Sequence, residues 1–140
     1  MRLVVALAVA LCALVARAAD PAAEAARSYR LEASASPSTL KAGGAGVLHL
    51  AIEPGPGTHV HPQAPLKVTL SATPGLVLSK AQLGRADLAD PKAAAPRFEV
   101  PFKATAAGAQ VATLKVDFFI CSDAWCVKQA RDVKLPVDVK

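Results

Sequence analysis

The feature that most constrains the fold is a strict alternation of apolar and polar residues near the C-terminus. In residues 111–120, and again in residues 133–139, every second side chain is apolar. A period of two is typical of a half-buried strand, so the two segments predict a terminal antiparallel hairpin. The side chains expected to point inward are Leu114, Val116, Phe118, Ile120, Val133, Leu135, Val137 and Val139.

Shorter segments upstream repeat this alternation between turns rich in proline or glycine. Residues 84–96 are polar, rich in alanine and without a clear period, which predicts a long loop. Six or seven short strands without a helical period predict an all-β fold, an immunoglobulin-like antiparallel β-sandwich. A small β-barrel is the competing architecture. The upstream candidate strands are residues 29–35, 47–53, 66–72, 76–78 and 97–103.

The N-terminus has the pattern of a secretory signal peptide. A charged start precedes an apolar run over residues 3–15, and a small-residue cleavage site follows at residues 16–18. This pattern predicts a signal peptide over residues 1–19 and export of the mature chain. Lipidation at Cys12 is not expected, because Leu11 stands where a small residue is required.

The mature chain is long enough for one domain. We expect a flexible leader over residues 20–27 and a single immunoglobulin-like domain over residues 28–140. No later segment approaches about 18 consecutive apolar residues, so the mature chain should contain no transmembrane segment. The formal charge of +5 falls to +3 without Arg2 and Arg17. Because the remaining charges are spread along the chain, nucleic-acid binding has no support.

Two cysteines, Cys121 and Cys126, remain after removal of the signal peptide. In an exported protein such a pair oxidises, so we expect a disulfide. The four residues between them form the loop of the predicted hairpin, which places the sulfurs side by side on its outward face. The bond is either a structural staple or a redox pair. A staple gains little here, because closing so short a loop contributes only about 2 kcal/mol.

The neighbours of the two sulfurs are candidates for supporting or docking roles. Lys128 would stabilise a thiolate, whereas Asp123 would oppose it. Phe119 and Trp125 place aromatic surface beside the cysteines, either as a cover, as a docking patch or as packing against a neighbouring loop. These four residues complete the candidate site.

The sequence offers little support for other chemistry. His59 and His61 are candidate ligands for copper or zinc, and a solvated loop is their plain interpretation. No histidine follows either cysteine, and Met1 is the only methionine. There is no nucleophile motif of the G-x-S-x-G type and no phosphate-binding glycine loop. We therefore expect no cofactor.

The segment Phe119 to Cys126, followed by the valine-rich strand Val133 to Val139, resembles the cysteine hairpin of the N-terminal periplasmic domain of the DsbD family of thiol:disulfide interchange proteins. The likeness extends to His59–Leu70 and to Phe98–Phe102, which match the order of elements in that domain. It therefore covers most of the mature chain.

The resemblance implies an immunoglobulin-like sandwich in the bacterial periplasm. Such a domain accepts electrons from a thioredoxin-like protein, or from a membrane thiol:disulfide transporter, and passes them to periplasmic disulfide proteins. By position, Cys121 and Cys126 would be the redox pair, and Cys126 would form mixed disulfides. In the family five residues separate the cysteines and an aromatic cap loop shields them. Here four residues separate them, and Leu88 is the cap-loop candidate.

We therefore expect a component of a thiol:disulfide oxidoreductase system that uses Cys121 and Cys126. The first alternative is a binding or structural domain with an inert disulfide. The second alternative is a metal-binding carrier that uses His59 and His61.

Overall fold

A computed structural model describes residues 17–140, so Cys12 and nearly all of the predicted signal peptide lie outside the described residues. The described part contains one α-helix, α1 (Pro21–Arg27), a 3-10 turn (Arg85–Asp87) and ten strands. The strands are β1 (Tyr29–Ser36), β2 (Thr39–Leu40), β3 (Ala45–Pro54), β4 (His59–Val60), β5 (Lys67–Ala72), β6 (Leu76–Leu78), β7 (Gln82–Leu83), β8 (Arg97–Ala104), β9 (Gly108–Cys121) and β10 (Cys126–Val139).

The strands form two sheets that enclose one core. One sheet has four strands in the order β1-β3-β8-β6. The six-stranded sheet has the order β2-β10-β9-β5-β7, and β4 pairs with β9 beside β5. The pairings are antiparallel except for the one between β10 and β2. The predicted fold, an immunoglobulin-like antiparallel β-sandwich, is confirmed.

The core contains the side chains that the alternation pointed inward. In β9 the four predicted residues are fully buried, and in β10 the last two are. Val133 and Leu135 are half-buried, because they lie in a part of β10 that, in the described structure, has a neighbouring strand on one side and none on the other. The upstream strands contribute Leu48, Leu50, Ile52, Val68, Leu70, Phe98, Val100 and Phe102 to the same core.

The strand boundaries differ from the prediction at the cysteine hairpin. We predicted the second strand from residue 133, whereas β10 begins at Cys126 and pairs with β9 along its whole length. Residues 127–132 include three charged side chains, so the sequence does not show a clear apolar and polar alternation here, although Val127 and Gln129 point inward. The short strands β2, β4 and β7 were also not predicted, because two residues are too few to show a period.

The predicted flexible leader over residues 20–27 is wrong, because this segment folds as α1. Asp20 accepts a hydrogen bond from the Ala22 N–H at 3.1 Å, and Pro21 occupies the first turn, where its missing N–H costs nothing. Ala25 is fully buried against the core. An alanine-rich helix has little contrast between an apolar and a polar face. Its sequence therefore does not show which face packs against the core. No helix within residues 17–140 is long and apolar enough to cross a membrane.

Candidate functional site

The predicted disulfide between Cys121 and Cys126 is present at the closed end of the β9–β10 hairpin. The two residues lie directly opposite each other, with their Cα atoms 4.0 Å apart. The Ser122 N–H donates to the Trp125 carbonyl at 2.8 Å and closes the turn. Since hydrogen-bonded and non-hydrogen-bonded pairs alternate, the cysteines form a non-hydrogen-bonded pair, in which side chains are closest. Both sulfurs lie on the outer face of the sheet.

The two cysteines differ in exposure, although the sequence predicts an outward position for both. Cys121 is only 4% exposed, whereas Cys126 is exposed. The reason is the pairing of β9 on its other side, where His59 lies opposite Cys121 and the His61 N–H donates to the Phe119 carbonyl at 2.9 Å. Cys121 therefore lies between two strands. Cys126 has β9 on one side and, within the described residues, no strand on the other.

Trp125 lies on the inner side of the hairpin, away from the disulfide. Its indole Nε1 donates to the Glu24 carboxylate at 2.9 Å, and the half-buried ring packs against the core beside α1. The Ser122 hydroxyl accepts the N–H groups of Ala124 and Trp125 at 3.1 and 3.3 Å, which holds the backbone of the turn. Trp125 thus anchors the hairpin to α1 rather than covering the sulfurs. The sequence prediction missed Glu24, which has no recognisable motif around it.

Three predicted supporting residues lie near the disulfide. Phe119 and Lys128 face each other across the hairpin, two pairs along from the cysteines and therefore on the same outer face. Phe119 is half-buried and Lys128 is exposed. Asp123 is exposed in the turn. The outer face therefore combines an exposed sulfur, an aromatic ring and a positive charge.

The inner side of the same hairpin holds a polar and aromatic cluster. The Tyr29 hydroxyl donates to Gln129 at 3.0 Å, and its ring meets Phe118 edge-on at 4.9 Å. The Arg131 guanidinium lies 5.8 Å from the centre of the Tyr29 ring. Burial raises the pKa of Tyr29, and Arg131 partly opposes this rise. These contacts tie β10 to the first strand of the opposite sheet.

The two histidines are not brought together as a metal site. His59 is exposed beside Cys121. The His61 Nδ1 atom accepts the N–H groups of Gln63 and Ala64 at 3.1 and 2.8 Å, so that nitrogen is occupied in a local turn. From residue 17 onward, no group of three or more His, Cys, Asp or Glu residues is placed to hold a metal ion.

Leu88 is held by the four-stranded sheet. Its backbone pairs with Phe98 in an isolated bridge, and its half-buried side chain packs against the core. Leu88 also lines a cavity together with His59, the residue opposite Cys121, and its role as a cap over the sulfurs stays a prediction. In the same loop, hydrogen bonds from Lys80 and the Gly84 N–H hold the pKa of Asp87 below its usual value.

Comparisons with known proteins give no family assignment. No family model matches the chain, and no curated protein matches it. Among solved structures, the crystal structure of domains 4 and 5 of the S-layer protein SbsC matches with a TM-score of 0.38 and 16% sequence identity. The match covers 79% of this chain and 53% of that one, so this chain spans about half of that structure. A likeness at this level carries no argument about function.

Proposed function

We propose that residues 28–140 form a thiol:disulfide interchange module of the DsbD N-terminal type, exported to the bacterial periplasm by a signal peptide over residues 1–19. The module passes electrons through Cys121 and Cys126. The donor is a thioredoxin-like protein or the thioredoxin-like domain of a membrane transporter, and the acceptors are periplasmic disulfide proteins. The unequal exposure of the two cysteine residues carries this proposal. A structural disulfide needs no accessible sulfur, whereas an exchanging disulfide needs one that a thiolate can reach.

The position of the bond in the sheet favours attack on Cys126. Exchange requires the incoming thiolate to approach along the extension of the existing S–S bond. This bond runs across the sheet from β9 to β10. Continued past Cys126, the line of the S–S bond crosses the edge of β10 that no described strand pairs with at this point. Continued past Cys121, the same line crosses β4 at His59. The strand arrangement therefore leaves one direction free and obstructs the other.

The proposed exchange proceeds in two displacements. A donor thiolate attacks Sγ of Cys126, the S–S bond breaks, and Sγ of Cys121 leaves as a thiolate that takes a proton. A second donor thiolate then attacks the donor sulfur of the mixed disulfide and releases Cys126 as a thiolate. The donor is oxidised to a disulfide, and the module gains two electrons and, at Cys121, one proton, with Cys126 left as a thiolate. The same steps in reverse reduce a periplasmic disulfide protein.

The residues on the outer face support these steps. Lys128 is two positions from Cys126 on the same face, so its positive charge stabilises the thiolate that Cys126 forms on reduction. Asp123 in the turn opposes this effect. Phe119 adds apolar surface beside the sulfurs for contact with a partner. The rigid hairpin below them keeps the sulfurs at a fixed position.

Trapping of mixed disulfides tests the proposal. A Cys121→Ala variant keeps Cys126 but lacks the thiol that resolves a mixed disulfide with an acceptor, so it should accumulate mixed disulfides through Cys126 with periplasmic disulfide proteins. A Cys126→Ala variant is the matched control and should accumulate little. The measurement is mass spectrometry of adducts recovered from an extract of exported proteins.

Two results would contradict the proposal. Equal trapping by both variants would refute the assignment of Cys126 as the attacked sulfur. No trapping by either variant would favour the inert structural disulfide, the non-catalytic alternative.

A further inference from the structure

The backbone of β10 offers a second feature beside Cys126. The pair Ser122–Trp125 is hydrogen-bonded, so the odd-numbered residues of β10 direct their N–H and C=O groups toward β9. The even-numbered residues direct theirs to the opposite edge. Two bonds to the β2 region agree with this assignment, because the Asp138 N–H donates to Ser38 at 3.0 Å and the Lys140 N–H donates to Leu40 at 2.9 Å.

From Cys126 to Lys134 this edge pairs with no strand of the described chain, because β2 reaches only Asp138 and Val139. Two carbonyls on the edge are contacted by neighbouring side chains. Gln129 donates to the Lys128 carbonyl at 3.0 Å, and Arg131 donates to the Ala130 carbonyl at 2.9 Å. Each carbonyl retains a second lone pair. The residues whose backbone groups point outward are Cys126, Lys128, Ala130, Asp132 and Lys134.

We propose that this edge binds an extended, cysteine-bearing segment of the acceptor, a periplasmic disulfide protein, as an additional antiparallel strand. The inference rests on the proposed function and specifies how the partner docks. An exposed edge is a template for strand addition, in which backbone hydrogen bonds provide affinity and alternate side chains provide specificity. The free edge begins at the exposed sulfur, and the extension of the S–S bond crosses the same edge. A strand bound there therefore places its cysteine sulfur beside Sγ of Cys126.

The charges on the edge indicate the composition of the partner segment. Lys128 and Lys134 are exposed on the same face as Cys126, with Asp132 between them. Opposite charges stabilise directly facing cross-strand pairs. The segment should therefore carry its cysteine near its C-terminal end, opposite Cys126, and acidic residues at the positions facing the two lysines.

A proline at Ala130 tests the proposal. Ala130 is exposed, and its N–H points to the free edge, so proline removes an outward donor without removing a bond to β9. Pro136 already occupies an equivalent even position of this strand. Ala130→Val is the matched control, because it keeps the N–H. The probe is a synthetic peptide of alternating valine and glutamate with one cysteine near its C-terminus, and dithiothreitol serves as a reductant too small to use the edge.

Loss of one edge hydrogen bond should slow exchange of the peptide with the disulfide by about fivefold in Ala130→Pro. Reduction by dithiothreitol should be unchanged, and Ala130→Val should match the wild type in both reactions. With the wild-type protein, a peptide N-methylated at the amides that face β10 should exchange as slowly as the unmodified peptide does with Ala130→Pro. This comparison tests the edge without changing the protein.

Other outcomes would overturn the inference. Equal peptide rates in wild type and Ala130→Pro, with no effect of N-methylation, would show that partners do not use the edge. A wild-type dimer in sedimentation analysis that Ala130→Pro dissociates would show that a second copy of the chain occupies it. Neither result changes the trapping by Cys121→Ala, so failure of this inference is distinguishable from failure of the proposed function.

Discussion

The inner and outer sides of the cysteine hairpin differ in how they are held. On the inner side, Trp125 is bonded to Glu24, 101 residues away in sequence, and Gln129 is bonded to Tyr29, 100 residues away. On the outer side, the disulfide joins residues five positions apart, and Cys126 is exposed. The two sides are formed by alternate residues of the same strands, because neighbouring side chains point to opposite faces of the sheet. The difference shows how an exposed reactive group can have a fixed position, because long-range contacts behind it hold the hairpin.

The largest expected effect comes from a charged substitution at Ala25, in the helix α1 that the inner side of the hairpin contacts. Ala25→Glu places a carboxylate in a fully buried position, and we expect it to destabilise the fold by about 3 kcal/mol. Ala26 is exposed on the same helix, so Ala26→Glu is the matched control and should stay within about 0.5 kcal/mol of wild type. Urea unfolding measures both. Identical midpoints for the two variants would show that α1 does not contribute to the stability of the sandwich.

Reduction of the disulfide should have a smaller effect. The bond closes a loop with a sequence separation of five, so its loss should cost about 2 kcal/mol. This is a minority of the roughly 5–15 kcal/mol stability of a typical domain, so the reduced protein should remain folded. Thermal unfolding with and without reductant provides the measurement. A reduced protein without a cooperative transition would mean that the outer side stabilises the fold as much as the inner side.

The contact between Glu24 and Trp125 allows a finer test of the inner side. Glu24→Ala removes the acceptor of the indole N–H and should cost about 1 kcal/mol. Glu24→Gln keeps a carbonyl oxygen at the same position and should recover most of that loss. Denaturant midpoints of the two variants compare them. If the alanine and glutamine variants were equally destabilised, the charge rather than the hydrogen bond would be the source of the effect.

The smallest expected effect is the pH dependence that Tyr29 adds. Its folded pKa is raised above the ordinary value of 10.0, chiefly by burial, so folding favours the neutral phenol. This contribution is fully present below the ordinary value and is lost as the pH rises through the folded pKa. Tyr29→Phe should therefore show a shallower loss of stability than wild type above about pH 10. Parallel alkaline unfolding curves for the two proteins would contradict the assignment.

The local features of the fold could be predicted from the sequence. The alternation of β9 identified its four buried residues, and the spacing of Cys121 and Cys126 predicted their disulfide, because both depend on residues close in the chain. The helix α1 could not be predicted. Its alanines have no distinct apolar face, and Ala25 is buried because it packs into the core formed by distant strands.

The sequence by itself determined the class of the fold, the pairing of the cysteines and the face on which they lie. Only the tertiary structure decided that Cys121 is buried, that Cys126 is exposed and that, among residues 17–140, no strand pairs with the edge of β10 beside it. The physical reason is that side-chain alternation is a local property of an extended chain. The exposure of a sheet edge depends instead on which distant segments pair with it, as β4 does with Cys121.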